Sequence, residues 1–125
     1  MFGLRWRHAF PELLTLESLD RVLDSTEIAP VLIYKHSITC GASAVALEQL
    51  TRLASSDVSL PIHLVPVQKA RAVSDAIAER LNLRHESPQL ILVDRGAVRW
   101  HASHFDVTAD RTRDALRALG LVTER

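Results

Sequence analysis

The sequence predicts one α/β domain over residues 1–125, a mixed four-stranded sheet with helices on both faces and room for a short extra N-terminal strand. Three observations lead there. Hydrophobic periodicity runs in the order helix, strand, helix, strand, helix, two strands, helix. The first strand-helix-strand unit must cross over right-handed and so makes its strands parallel, whereas the short turn Asp94-Arg95-Gly96-Ala97 forces the last two strands antiparallel. A chain of 125 residues, 47% hydrophobic and 24% charged, can bury an ordinary core without disulfide or metal staples.

Each element has a local reason. Leu16, Leu19 and Leu23 recur at helical spacing behind a Thr15 cap, which predicts a helix over 15–24 that Pro30 stops from running on. Val31 to His36 is a short apolar run suited to a buried strand, followed by the polar turn Ser37-Ile38-Thr39. Cys40 then opens a second helix, with Ala44, Leu47, Leu50 and Ala54 expected on its buried face and Ser55-Ser56-Asp57 at its end. Ile62 to Val67 is the next strand, on a sheet edge or at a bulge because Pro66 has no N–H to donate. Val73, Ala76, Ile77 and Leu81 mark a third helix with Asn82 as its stop. Pro88 to Val93 and Val98 to Ala102 form the hairpin, with Gly96 where a positive φ is needed. Asp106-Val107-Thr108 supplies caps for a last helix through Leu119, ended by Gly120.

Composition narrows the function. Lys plus Arg and Asp plus Glu number 15 each, so no net field draws polyanions, and 5% aromatic residues offer few stacking platforms for single strands. Nucleic acid is not an expected partner. Arg5 and Arg7 start the chain, but Pro11 and Glu12 interrupt the apolar residues before a signal-peptide core forms, and no stretch is long enough to span a bilayer. The expected location is the cytoplasm, with no membrane partner. A lone cysteine there cannot close an internal disulfide, so redox chemistry needs a second thiol from outside.

Cys40 stands at a strand-to-turn-to-helix junction, an exposed and polar setting unlike that of a buried, inert cysteine. At the positive end of the helix dipole, beside unpaired N–H groups, its thiolate is favoured. Ser43 lies one turn on, where its hydroxyl can donate to the sulfur or act only as a first-turn residue. Lys35 and His36 end the preceding strand, as thiolate-stabilising charges or, for Lys35, as a solvated strand end. The hairpin should bring His101, Ser103 and His104 back to the level of Pro88 and so toward Cys40. A zinc site from Cys40, His101 and His104 would rest on weak spacing, and no metal is expected.

Taken together, Lys35-His36-Ser37-Ile38-Thr39-Cys40, Val67-Gln68, His85-Glu86-Ser87-Pro88-Gln89, Trp100 and Ser103-His104 resemble the monothiol bacilliredoxins, the YtxJ-like proteins of the bacillithiol system with a thioredoxin-like fold. The resemblance runs from about Leu13 to Leu119. It implies a cis bond at Ser87-Pro88 beside the active cysteine, and removal of bacillithiol from S-thiolated client proteins. Cys40 would attack, aided by Ser43, become bacillithiolated and be reset by another low-molecular-weight thiol, a co-substrate; no cofactor is bound. Lys35, His36, Thr39, Arg84, Ser87, Pro88 and His104 are then the candidates for stabilising the thiolate or holding substrate; Lys35, His36, Arg84 and His104 could meet the carboxylates of the bacillithiol malate. Cys-Gly-Ala-Ser is also similar to monothiol glutaredoxins that hold an iron-sulfur cluster with glutathione. A cluster-binding module and a non-catalytic thioredoxin-like adaptor are therefore the alternative readings.

Overall fold

The computed structural model describes residues 10–122. In chain order they form α1 (Leu16–Ser25), β1 (Val31–His36), α2 (Gly41–Ala54), β2 (Ile62–Pro66), α3 (Arg71–Arg80), β3 (Gln89–Asp94), β4 (Ala97–Ser103) and α4 (Ala109–Ala118). The four strands are ordered β2-β1-β3-β4, parallel between β1 and β2 and antiparallel elsewhere. The mixed sheet read from the sequence is present. Arg5 and Arg7 lie outside the described residues. In place of a full extra strand, a single parallel bridge joins Glu12 to Leu64, with Leu13 N–H donating to Leu64 O at 2.9 Å.

The sheet divides two cores by strand alternation. Leu32, Tyr34, Leu64, Leu90 and Leu92 face one side and pack with Ala46, Leu50 and Leu53 of α2 and Leu116 of α4. Val31, Ile33, Val65, Ile91 and Val93 face the other and pack with Leu19 of α1 and with Val73 and Ile77 of α3. Every residue of β1 is buried, which is why Val31 to His36 shows no polar alternation. On α2 the buried residues are Ser43, Ala46, Leu50 and Leu53. That corrects the expected face: Ala44 and Ala54 are exposed and Leu47 is half-buried, because the stripe is rotated so that Ser43 points inward.

The terminators act as their chemistry dictates. Thr15 Oγ1 accepts the Ser18 N–H at 3.1 Å while Ser18 Oγ answers toward the Thr15 N–H, a reciprocal cap. Asn82 and Gly120 adopt positive φ just past α3 and α4, and Thr108 Oγ1 caps α4 through the Arg111 N–H. Both Arg95 and Gly96 have positive φ in the hairpin turn. Thr26 fastens that turn to the end of α1. Its carbonyl accepts the Arg95 N–H at 2.8 Å and its hydroxyl accepts the Gly96 N–H at 2.9 Å. Pro66 ends β2 on the sheet edge, as its missing N–H requires.

Candidate active site

Because β1 and β2 are parallel, the segments that follow them emerge at the same end of the sheet, where helices leave toward opposite faces. Antiparallel β3 begins at that end too, since Lys35 pairs with Gln89. Three segments therefore converge: Ser37 to Cys40, Gln68 with Lys69, and Arg84 to Pro88. The Ser87-Pro88 bond is cis.

Cys40 is the N-cap residue of α2, half-buried and in no disulfide. The N–H of Ser43, above all, holds its thiol below the ordinary range; desolvation opposes this next most strongly, and the Ala42 N–H and the Ser43 hydroxyl add to the lowering. The Ser43 N–H is shared, since it also donates to the Cys40 carbonyl at 3.1 Å in the first turn of the helix. Ser43 is fully buried, and its oxygen accepts the Ser37 N–H at 3.1 Å, which leaves its own hydrogen free to point at Cys40.

Beneath the helix start lies Tyr34, which sequence reasoning missed. Its hydroxyl donates to the Ser43 carbonyl at 2.9 Å and lies 2.9 Å from His36 Nδ1. A carbonyl only accepts and the phenol has a single hydrogen, so His36 Nδ1 must be the donor in the second contact. Burial drives the Tyr34 phenol well above its ordinary pKa, so it stays a neutral donor. Gln68 was quoted in the family resemblance but not as a site residue. Its side-chain amide accepts from the Ile38 N–H at 3.3 Å and donates to Ser37 Oγ at 2.7 Å and Thr39 Oγ1 at 3.2 Å. The signal for it was available, since the residue after a strand parallel to β1 must lie beside the turn that follows β1.

Lys35 is placed differently from expectation. Far from being a solvated strand end, it is 0% exposed and faces the α3 side of the sheet, away from α2. Its Nζ lies 3.1 Å from His85 Nδ1, and Ser74 Oγ lies 3.3 Å from the same nitrogen. Burial lowers the Lys35 pKa to about 8, and Asp75 resists the fall. His85 is also pushed below its ordinary value, by burial first and then by Lys35. Charge at Lys35 is thus directed at the Arg84–Pro88 segment from behind.

His104 does return to Pro88, its N–H donating to Pro88 O at 2.9 Å, while its Nε2 lies 2.9 Å from Glu86 Oε1. Arg84, with its side chain 92% exposed, reaches the same carboxylate at 3.9 Å. His101 pairs with Ile91 in the hairpin and lines no part of the groove beside Cys40. Among the described residues no three His, Cys, Asp or Glu side chains gather in a way that could hold a metal ion.

A groove of about 890 Å³ opens beside the sulfur, between the start of α2 and the end of β2. Ala44, Leu47, Leu64 and Pro66 form its apolar part. Glu12, His36, Ser37, Thr39, Cys40, Gln68 and Lys69 supply its polar lining. Of the sequence candidates, this groove gathers Cys40, His36 and Thr39; Arg84 and His104 lie with Ser87 and Pro88 on the other segment.

Known proteins match this arrangement. A solved chain described as a candidate oxidoreductase with a thioredoxin fold is similar at 28% identity and a TM-score of 0.75, over 84% of this chain and 91% of that one. Thioredoxin from Trypanosoma brucei brucei superposes with a TM-score of 0.73 at 13% identity, over 92% of this chain and 95% of its own. Thioredoxin O2 from Arabidopsis thaliana, in its oxidized state, gives 0.71 at 18% identity, over 89% and 94%. These likenesses show the thioredoxin fold. The family model described as monothiol bacilliredoxin BrxC matches residues 11–112, so this chain, with its one cysteine at the start of α2, belongs to the monothiol bacilliredoxin family.

Proposed function

We propose that the protein removes bacillithiol from mixed disulfides on client proteins, in two exchanges. The Cys40 thiolate attacks the bacillithiol sulfur, the client cysteine leaves as a thiolate, and Cys40 is left bacillithiolated. A second low-molecular-weight thiol, as its thiolate, then attacks that adduct, forms a small disulfide and returns Cys40 to a thiolate. The observation that carries this reading is the thiol held below its ordinary pKa by the Ser43 and Ala42 N–H groups, with Ser43 and not a second cysteine one turn on. A hydroxyl cannot resolve a mixed disulfide, so the second exchange must come from solution. The reading needs no bound cofactor, fits a cytoplasmic setting, and gives the Ser87–Pro88 edge to the client chain. No described helix is long and apolar enough to cross a membrane.

The test is to offer the reduced protein one client peptide as its bacillithiol or glutathione mixed disulfide and to identify the adduct by mass spectrometry. Bacillithiol on Cys40 with free client thiol is the expected result. Client peptide on Cys40, or no adduct, would overturn the reading.

A further inference from the structure

We propose that the groove between the start of α2 and the turn after β2 receives the small-thiol half of the mixed disulfide, with Lys69 pairing with a carboxylate of that thiol. The proposal rests on the exchange reading above and adds to it a place for each partner: small thiol in the groove, client along the Pro88 segment.

Three observations support the division. The groove has the size of a small-molecule cleft, about 890 Å³ against roughly 300–1,000 Å³ for such sites, and Cys40 is part of its wall. Its lining is mainly apolar, with Ala44, Leu47, Leu64 and Pro66, and carries the hydroxyls of Ser37 and Thr39, the Gln68 amide and the Glu12 carboxylate among them. Lys69 is the one lysine or arginine among the described residues that line it. On the Pro88 segment, by contrast, Glu86 already sits against two polar side chains, 2.9 Å from His104 Nε2 and 3.9 Å from Arg84. A carboxylate arriving there would meet Glu86 as well as its partners; the groove has a carboxylate on its lining too, Glu12, along with Lys69.

The chemistry agrees with the placement. In thiol-disulfide exchange the attacking, central and leaving sulfurs stand in line. When Cys40 sulfur bonds to the small-thiol sulfur, the bond from that sulfur to the client sulfur breaks on the far side, and the electron pair leaves with the client thiolate. The small thiol is therefore the half that stays bonded to Cys40, which lines the groove, and the client leaves on the far side of the bond.

The experiment uses one client peptide carrying bacillithiol, glutathione or uncharged 2-mercaptoethanol in mixed disulfide. Transfer rates to Cys40 are compared for the unaltered protein, Lys69→Ala, Lys69→Glu and the groove-filling Ala44→Phe. Lys69 and Ala44 are both exposed, so the folds should survive, and circular dichroism checks this. Lys69→Ala is expected to lower the bacillithiol-to-mercaptoethanol rate ratio about fivefold and Lys69→Glu further, while Ala44→Phe lowers it by obstruction. A matching fall for glutathione supports a general carboxylate site, and a fall for bacillithiol alone supports one shaped to malate. Unchanged ratios in all three variants would overturn the groove assignment. If the unaltered protein accepts no small thiol from any adduct, the exchange reading itself fails, a result visible before any variant is compared.

Discussion

Replacing Lys35 with methionine should make the protein more stable at neutral pH, because the lysine is buried without a carboxylate in hydrogen-bonding range. Its closest polar partner is His85 at 3.1 Å, held below its ordinary pKa and so neutral at pH 7. Lowering the Lys35 pKa from 10.5 to about 8 corresponds to about 3 kcal/mol against the charged form in the folded state. Methionine removes that penalty and fills similar volume, but it forfeits the hydrogen bond to His85, at about 1 kcal/mol. The expected net gain is about 2 kcal/mol at pH 7. The sign with pH follows from linkage. Between about pH 8 and 10.5 the unfolded chain keeps the lysine proton and the folded chain has lost it, so wild-type stability rises with pH through that window. Below pH 8 both states carry the proton and the penalty is present in full. The advantage of Lys35→Met should therefore hold below pH 8, shrink above it, and turn into a small deficit near pH 10.5. Urea unfolding of both proteins at pH 7, 9 and 10.5 measures this. The difference between them cancels other alkaline titrations, including that of Tyr34. A variant less stable at pH 7, or a gain that ignores pH, would refute the reasoning.

Four further outcomes are expected. Cys40→Ser should keep the thermal midpoint within a few degrees and abolish adduct formation by mass spectrometry, since a neutral hydroxyl is a far poorer nucleophile toward sulfur. Ser43→Ala should raise the Cys40 pKa modestly, as read from the pH dependence of thiol alkylation, because the Ser43 N–H remains; no change would show that the hydroxyl does not reach the sulfur. Tyr34→Phe should cost about 1–3 kcal/mol in chemical denaturation by leaving the buried Ser43 carbonyl without its hydroxyl donor. Gln68→Ala frees the Ser37–Thr39 turn from its three hydrogen bonds and should broaden the amide signals of residues 37–40 in NMR spectra while leaving those of β3 unmoved.

The fold was legible because its punctuation is strong. Thr15, Asn82, Gly96 and Gly120 stand where a cap, a stop or a turn needs those residue types, and continuous burial of Val31 to His36 matches its unbroken apolar run. The rotation of α2 was not legible from its alanines, since Ala44, Ala46 and Ala54 are alike in hydropathy; the buried stripe follows Ala46, Leu50 and Leu53, with Ser43 on the same side. Cys40 was found from its junction and His104 from the hairpin's return. Lys35 was misread because charge ordinarily predicts exposure, and nothing local shows that a strand covered on both faces leaves its last lysine no exit but toward His85. Gln68 and Lys69 come near Cys40 only through parallel pairing of β1 with β2, a relation between segments about thirty residues apart.

β1 has a consequence for motion. Its six residues are buried and bonded to strands on both sides, so their amides can exchange hydrogen with water only in the largest openings of the molecule. The turns that flank Cys40 are held mainly by side-chain bonds from Gln68 and Ser43, each of which can break while the others hold. The sulfur is thus hung from the slowest-exchanging strand by a short, separately loosened tether. The turn around the sulfur can loosen while the sheet behind it stays closed.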